Sequence, residues 1–376
     1  MSVTRTAGTN SSGEPEPLAT LTANQKRLLL VMILLWLVVF LRLSLWPFDF
    51  SRQNFVTFLP GKGLKFSAPS IAISDGTPSK LVGLDSFVVS ISFYPDLSNG
   101  AGCILDYAPS SGPTNLRIIQ GGDNLVVSIR TGETEMKHLN APLGHRDSLN
   151  TFLLAVRGNN VSLARSKRLV RSAMARTSPG SSWDPQAQLI FGSTASGKLR
   201  WAGTLTSFAV SRVSTFDSAF SPGTTLLSYR VLEYHDRVIP DEGENPKTPL
   251  RVPEQINAPA RKILSSPLTY WDGIWNKSDL MYNVIAFLPL GFLLGILMRD
   301  RYGKVRLLLM AVVVAGLISL CVEIAQFYVP YRDSSIVDIV TDSFGSLCGA
   351  WIAALIPTRA LLRLQKAGMT TSEDRT

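Results

Sequence analysis

Four long apolar runs constrain this chain most, because each is too long and too uniformly apolar for the surface of a water-soluble domain. They cover residues 28–46, 280–298, 307–329 and 336–357. A helix of about 20 apolar residues crosses a hydrocarbon core of about 30 Å. The first run contains Arg42, whose aliphatic stem lets its charge reach the interface. The sequence therefore predicts a four-helix transmembrane bundle.

A cleaved signal peptide is the alternative for the first run. Such a peptide ends at a small-x-small cleavage site. Here the apolar residues are followed by Arg42 and then by Trp46, Pro47 and Phe48. An uncleaved first span, residues 26–48, is therefore favoured.

The clusters of basic residues that flank these runs all fall on one side of the predicted membrane. Clusters precede the first run, separate the second from the third and follow the fourth: Lys26 and Arg27; Arg299, Arg301, Lys304 and Arg306; Arg359, Arg363 and Lys366. The positive-inside rule places all of them in the cytoplasm. Both termini are then cytoplasmic tails, residues 1–25 and 359–376, and the first is too polar to order itself. Residues 47–279 are predicted to lie outside.

The outer segment has the pattern of an all-β domain over residues 49–237. Seven stretches alternate apolar and polar side chains between turns: residues 87–95, 115–120, 124–131, 151–156, 160–165, 189–192 and 203–213. This spacing predicts a β-sandwich. The order of hairpins over residues 52–235 resembles a laminin-G or concanavalin-A-like jelly roll, which implies glycan or partner binding and makes calcium a candidate ligand. Residues 238–279 are predicted to be a linker and juxtamembrane segment.

The net charge of +9, from 37 basic and 28 acidic side chains, lies mostly in the outer segment. Residues 50–237 hold 19 basic and 12 acidic side chains, and no acidic residue occurs between Asp147 and Asp184. A basic patch falls in that interval, at Arg157, Arg165, Lys167, Arg168, Arg171 and Arg176. Two interpretations stay open: a contact surface for an anionic envelope polymer or lipid headgroups, or a solvated loop face. Nucleic acid is not expected, because the patch faces away from the cytoplasm.

Cysteine and histidine chemistry is not predicted. The three cysteines lie at positions 103, 321 and 348, without the paired spacing of a zinc site or a disulfide framework, and the three histidines are scattered. Charged residues make up 17% of the chain, against about 25% in an average soluble protein. This composition excludes a wholly disordered chain, and no cofactor other than calcium is considered.

Polar residues inside the runs indicate a functional site, because a charge in lipid is costly. With a helical rise of about 1.5 Å per residue, Glu323 and Asp342 each lie about 9 Å below the outer end of their span. Arg42, Asn283, Glu323 and Asp342 fall in one layer of the outer leaflet. The candidate ligand-binding residues are these four together with Gln326, Asp338, and Arg332 in the short loop after the third run. We expect the carboxylates to pair with the two arginines. The alternative is that these residues only hold helices together.

The same residues resemble the VanZ-like membrane domain. The resemblance lies in NVIAFLPLGFLLG at 283–295, Glu323-x-x-Gln326-Phe327, Pro330-x-Arg332, and Asp338 followed by Gly345 and Gly349, with WPFDF at 46–50 as its opening. One departure is Asp342, where the family's pattern has Asn. The resemblance implies a bacterial cytoplasmic-membrane protein and, through the family's namesake, low-level resistance to teicoplanin-type glycopeptides. The family has no agreed enzymatic activity.

Two functions from different classes follow. The first is a non-enzymatic envelope protein that binds a lipid-linked or amphiphilic molecule, with a glycan- or partner-binding outer domain. The second is an intramembrane enzyme in which Glu323 and Asp342 act as general acid and base on a lipid-linked glycan or phosphate. A transporter is disfavoured, because the sequence lacks an inverted repeat. The sequence leaves the oligomeric state open.

Overall fold

The structure is a computed structural model that describes residues 21–356, apart from residues 47, 49, 51, 68, 97–99, 134, 145–147, 214–221, 232–236, 265–276, 330–331 and 333. The predicted tails lie outside the described residues, except that the first helix already begins at Ala23. Pro47 and Pro330 of the VanZ-like motif also lie outside them. Contacts divide the chain into a helix unit, residues 1–44, 271–323 and 336–376, and a β unit, residues 45–270 and 324–335.

Four helices are present where the sequence predicts spans. They are α1 (Ala23–Leu45), α2 (Lys277–Met298), α3 (Lys304–Tyr328) and α4 (Ile336–Leu355). All four are long and apolar enough to cross a membrane. No residue of α1 is buried in the described structure, although the helix is almost entirely apolar. Such a surface is suited to lipid rather than to water.

Aromatic side chains pack α1 against α2 inside the helix unit. The Trp36 ring lies 5.2 Å from the Phe287 ring, and the Phe40 ring lies 4.8 Å from it, both edge-on. The Trp36 Nε1–H donates to the Ala286 carbonyl at 3.0 Å. Since an indole N–H has no other partner in an apolar environment, this bond fixes which face of α1 meets α2.

Small residues let α2 and α4 approach closely. A Cβ at Gly345 would meet the Val284 carbonyl, and one at Gly349 would meet the Leu288 carbonyl. At Gly295, an added Cβ would lie 2.7 Å from the Ala353 Cβ. The contacts advance in the same direction along both helices, so α2 and α4 run parallel. Backbone contact of this kind is typical of helix pairs in membranes, where lipid supplies no hydrophobic driving force between helices.

In the described part of the β unit, sixteen strands form two antiparallel eight-stranded sheets. The first sheet contains β1 (Val56–Leu59), β2 (Gly63–Phe66), β4 (Ser86–Pro95), β9 (Asn150–Arg157), β10 (Asn160–Arg165), β11 (Arg168–Met174), β13 (Gly203–Val213) and β14 (Pro222–Arg230). Its order is β1-β2-β13-β4-β9-β10-β11, and β14 also pairs with β13. All seven strands predicted from alternation are present.

The second sheet contains β3 (Ala72–Ser74), β5 (Ala101–Ala108), β6 (Leu116–Gly121), β7 (Asn124–Arg130), β8 (Met136–Pro142), β12 (Gln188–Phe191), β15 (Val238–Ile239) and β16 (Leu250–Arg251). Its order is β15-β16-β3-β12-β5-β6-β7-β8. One core cluster draws side chains from both sheets. Trp183 contacts Phe87 of the first sheet and Tyr107 of the second, with ring centroids 5.1 and 5.3 Å apart. The two sheets therefore form a β-sandwich, and in sequence it lies between α1 and α2.

The predicted linker is wrong for its first part, because residues 238–252 belong to the sandwich. β15 pairs with β16, and β16 pairs with β3, so the chain adds two short strands to the second sheet. Ile239, Leu250 and Val252 are buried in the main core. The proline and charge content of this segment is typical of a linker, but each strand has only two residues, too few for a visible alternation.

Candidate functional site

The buried polar pair of the helix unit joins α3 and α4. Asp342 on α4 is 4% exposed, and Ser319 on α3 is 1% exposed. The Ser319 Oγ donates to the Asp342 Oδ2 at 2.7 Å. The other carboxylate oxygen, Oδ1, is buried and has no hydrogen-bond partner among the described residues. The expected pairing of Asp342 with an arginine is therefore wrong, and its partner is a serine that sequence reasoning missed.

Other candidate residues of α3 lie on the same face as this serine. Glu323 follows Ser319 by four residues and Gln326 follows it by seven, which are the spacings of one helical face. Glu323 is 3% exposed and Gln326 is 9% exposed. Ser319 could have been found from the sequence, because it is a polar residue four positions before Glu323 and so lies on the same helical face.

The buried residues of α4 contact two different helices. Asp342, Gly345, Ser346 and Gly349 are all buried, whereas Asp338, one turn before Asp342, is half-buried. Gly345 and Gly349 meet the backbone of α2. Asp342 and Ser346 face α3, where the Ser346 Oγ donates to the Ala311 carbonyl at 3.1 Å. The hydrogen bond between α3 and α4 explains why Ser346 is polar. The bond from Ser319 does not explain why Asp342 has a second buried oxygen.

The remaining candidates occupy different surroundings. Arg42 is exposed on α1, and Asn283 is half-buried on α2. Arg332 is half-buried after α3, and its Nε donates to the Trp46 carbonyl at 3.3 Å. Among the candidate residues, Asp342 with its bond from Ser319 is therefore the centre of the candidate site.

Two arginines missed by sequence reasoning hold the C-terminal end of α3 within the β unit. The Arg261 Nη2 donates to the carbonyls of Gln326, Val329 and Arg332 at 3.4, 2.8 and 2.7 Å. The Arg52 Nη2 donates to the Phe327 carbonyl at 3.1 Å, and both guanidinium groups lie over the Phe327 ring, at 5.2 and 5.4 Å. The last carbonyls of a helix lack intrahelical partners and carry negative partial charge, so cations are suited to this position.

The basic patch lies on β10, β11 and the residues around them. Arg165 ends β10, Lys167 lies in the turn, Arg168 and Arg171 are on β11, and Arg176 follows the strand. Arg165 is half-buried and its Nη1 donates to the Pro142 carbonyl at 3.4 Å, whereas the other four are exposed. Of these five residues, Arg168 and Arg171 lie on β11, an edge strand, and Arg165 lies on β10, so the predicted alternative of a solvated loop face describes only part of the patch.

Within the described part of the β unit, the buried acidic side chains have protein partners. Asp241 accepts from the Lys80 Nζ at 2.8 Å and from the backbone N–H of Ser228, Gly243 and Thr248. Burial alone would raise the pKa of this carboxyl, but these hydrogen bonds together hold its pKa below the ordinary value. Asp106 similarly accepts from the Arg117 Nε at 3.0 Å.

No group of three or more His, Cys, Asp or Glu side chains in the described ranges is placed to hold a metal ion. Calcium binding by the sandwich stays a prediction.

Solved structures similar to this chain include sandwich proteins at low identity. The IT-sialidase CBM40 of Ruminococcus gnavus, bound to α2,3-sialyllactose, is 14% identical with a TM-score of 0.32, covering 42% of this chain and 94% of that one. The heptameric SAP-like pentraxin of Limulus polyphemus is 12% identical with a TM-score of 0.34, covering 56% and 98%. A putative carbohydrate binding protein of Bacteroides ovatus is 14% identical with a TM-score of 0.37, covering 52% and 60%. The sandwich assignment rests on the strand pairing described above.

No protein with a curated description matches the chain significantly. The VanZ/LLP1 family model matches residues 244–357, which include α2, α3 and α4 and begin within the β unit, before β16. The resemblance expected from the spaced polar residues is confirmed by this match. The C-terminal segment of the chain, residues 244–357, is therefore a VanZ/LLP1 domain.

Proposed function

We propose that this protein is a four-span protein of the bacterial cytoplasmic membrane whose VanZ/LLP1 domain binds the polar head of a membrane amphiphile at Asp342. Both termini are cytoplasmic in this proposal, and the β-sandwich faces the envelope. Support comes from the four apolar helices, from the side of the basic clusters and from the buried polar pair between α3 and α4.

The main support for a ligand is the Asp342 Oδ1 atom, which is buried and has no hydrogen-bond partner in the part of the chain that the structure describes. A buried polar atom without a hydrogen bond costs about 1–3 kcal/mol, and more when the group is charged. Helix packing alone gains nothing from this cost. Ser346 on the same face shows that a polar side chain can hold α3 and α4 together through a hydrogen bond to the Ala311 carbonyl. A ligand that bonds Oδ1 removes the cost when it binds.

The chemistry of the site favours a hydroxylated headgroup. Asp342 and Glu323 are carboxyl groups, which repel a bare phosphate when they are ionised. A hydroxyl group both donates and accepts, so it can pair with the Oδ1 atom whether the carboxyl is ionised or protonated. The ligand class is therefore an amphiphile with sugar or glycerol hydroxyls, such as a lipid-linked glycan.

Lipid retention by the purified full-length protein tests this proposal. Detergent-solubilised protein is incubated with glucosyl diacylglycerol or with phosphatidic acid of the same acyl chains, and bound lipid is counted by native mass spectrometry. We expect the wild type to retain the glycolipid. Asp342→Asn should weaken retention by about tenfold, the value of one charge-assisted hydrogen bond. Ser319→Ala should weaken retention less, because it removes the bond that orients the carboxylate rather than a bond to the ligand.

Ser346→Ala is the matched control, because it also removes a buried serine bond from the interface of α3 and α4. It should leave glycolipid retention unchanged. If Asp342→Asn and Ser346→Ala lower the melting temperature alike and neither alters retention, Asp342 only holds helices together and the proposal fails. Conversion of the glycolipid by the wild type, lost in Glu323→Gln, would instead support the acid–base enzyme.

Envelope-glycan binding by the sandwich and low-level glycopeptide resistance are further parts of this proposal, and the resemblances described above support them. Binding of the full-length protein to an array of envelope glycans is the measurement for the first. For the second, the inhibitory concentration of a teicoplanin-type glycopeptide is compared between strains carrying the wild type or Asp342→Asn. Equal inhibitory concentrations in these strains and in a deletion strain would contradict the resistance role.

A further inference from the structure

The first sheet ends in β11, a strand that is exposed along most of its length. The strand order places β11 at one edge and β1 at the other. β11 pairs with β10, and within the described residues no strand pairs with its outer side. Every residue from Arg168 to Ser172 is exposed, as is Met174. An open strand edge leaves backbone N–H and C=O groups unpaired, and exposed apolar side chains beside it mark a surface that binds a partner or a membrane.

Basic and apolar side chains are mixed along this edge. Lys167, Arg168 and Arg171 are exposed, and between and beyond them Leu169 is 61% and Met174 is 78% exposed. Leu149 is a further exposed apolar side chain near Lys167. The Ser166 N–H donates to the Thr151 carbonyl at 3.0 Å, which brings the turn before β11 close to the start of β9. We call the set of Lys167, Arg168, Leu169, Arg171 and Met174 the β11 edge.

The mixture discriminates among possible occupants. A second copy pairing edge to edge would bring Arg168 and Arg171 against like charges, which destabilises a strand pair. An acidic polymer would neutralise the cations but leave Leu169 and Met174 in water. A bilayer surface with anionic headgroups satisfies both kinds of side chain, since each cation near such a surface contributes about 1 kcal/mol and apolar groups enter the acyl boundary.

We propose that the β11 edge docks on a bilayer surface that contains anionic phospholipid. The short connection between α1 and the sandwich favours contact of the sandwich with the bilayer. Ten residues separate the end of α1 at Leu45 from the start of β1 at Val56. Ten extended residues reach at most about 35 Å, so a membrane-anchored α1 keeps the sandwich at high effective concentration near the bilayer. The proposal rests on the membrane anchoring proposed above and does not depend on ligand binding at Asp342.

A fluorescent probe on the edge tests the docking in the full-length protein. An environment-sensitive dye is attached at Val170→Cys, an exposed position of β11 that is not one of the β11-edge residues, in a chain carrying Cys321→Ser and Cys348→Ser, since Cys103 is buried. The protein is placed in nanodiscs of phosphatidylglycerol or of phosphatidylcholine, with a spin-labelled lipid as quencher. Incorporation into the discs reports anchoring by the helices, and quenching of the dye reports docking.

We expect a blue shift and quenching in phosphatidylglycerol discs, with loss of both at high salt. Lys167→Gln/Arg168→Gln/Arg171→Gln should abolish the signal. Lys62→Gln/Lys65→Gln/Arg212→Gln is the matched control, because it removes three exposed cations from the same sheet, two of them on β2 or the turn before it, next to β1 at the opposite edge. The control should retain the signal.

Three outcomes would overturn the proposal while leaving membrane anchoring intact. Equal quenching in both lipids, with normal incorporation, shows that the edge does not recognise anionic lipid. Binding of soluble polyphosphate through the three cations, without quenching by lipid, assigns the edge to an anionic polymer. Self-association of the triple variant without any lipid signal shows that the cations only protect an open edge.

Discussion

At the scale of single residues, the difference between satisfied and unsatisfied polar groups separates structural from functional positions. Asp241 and Asp342 are both buried carboxylates. Asp241 has a lysine and three backbone N–H groups around it, so it needs nothing more from a ligand. Asp342 has one serine on one oxygen. The sequence places Asp342 in a predicted span and Asp241 in a predicted linker, but it does not show which carboxylate is satisfied, because Lys80 and Ser319 are distant from them along the chain.

Asp241→Asn should destabilise the sandwich strongly. The amide brings a donor against the Lys80 ammonium and the backbone N–H groups, and breaking a buried pair costs about 3–5 kcal/mol. At about 2–4 °C per kcal/mol, we expect the sandwich transition to fall by about 6–20 °C in a fluorescence melting experiment on the full-length protein. Asp75→Asn is the control: its pair with Arg251 is exposed and should be worth about 1 kcal/mol or less. Similar melting temperatures for both variants would contradict this account.

The same group makes the stability depend on pH. The folded-state pKa of Asp241 lies below its unfolded value, because hydrogen bonds to the ionised form outweigh the effect of burial. Its contribution is therefore complete above the unfolded pKa of about 4 and is lost as pH falls through the folded pKa. Wild type should lose more stability than Asp241→Asn between pH 5 and more acidic conditions, and parallel melting curves would contradict this.

At the scale of elements, all four helices but only some of the strands can be predicted from the sequence. The four apolar runs predict α1 to α4 almost to their ends, because lipid-length apolarity is a local property. The seven alternating strands are equally visible. β5 and β11 have apolar residues at adjacent positions, and β15 and β16 have two residues each, so none shows a clear period of two. Their pairing partners, not their own residues, make them strands.

The α2 and α4 interface should not tolerate side chains at its glycines. Gly349→Ala places a methyl group against the Leu288 carbonyl, and overpacking of this kind costs about 1–3 kcal/mol. We expect a lower melting temperature of the helix unit in detergent. Gly303→Ala is the control, because an added Cβ meets nothing within 4 Å there. An unchanged melting temperature in Gly349→Ala would show that the two helices separate at no cost.

At the scale of the whole molecule, the charge asymmetry determines the expected orientation. Basic residues cluster before α1, between α2 and α3 and after α4, and this pattern predicts an outer β-sandwich. Alkaline phosphatase fused after residue 150 should be active and a fluorescent-protein fusion there dark, whereas fusions after residue 302 should show the opposite pattern. Cytoplasmic reporter activity at residue 150 would overturn the orientation and with it the envelope-facing role of the β11 edge.

The sequence by itself determined which segments are apolar helices, which are alternating strands, and which polar residues stand at unusual positions in a span. Each of these depends on periodicity and local composition. Only the tertiary structure decided that Ser319 meets Asp342, that Arg52 and Arg261 hold the end of α3, that residues 238–252 join the second sheet, and that β11 is an open edge. These features join positions that lie far apart along the chain, and packing and strand order, rather than local pattern, select such pairs.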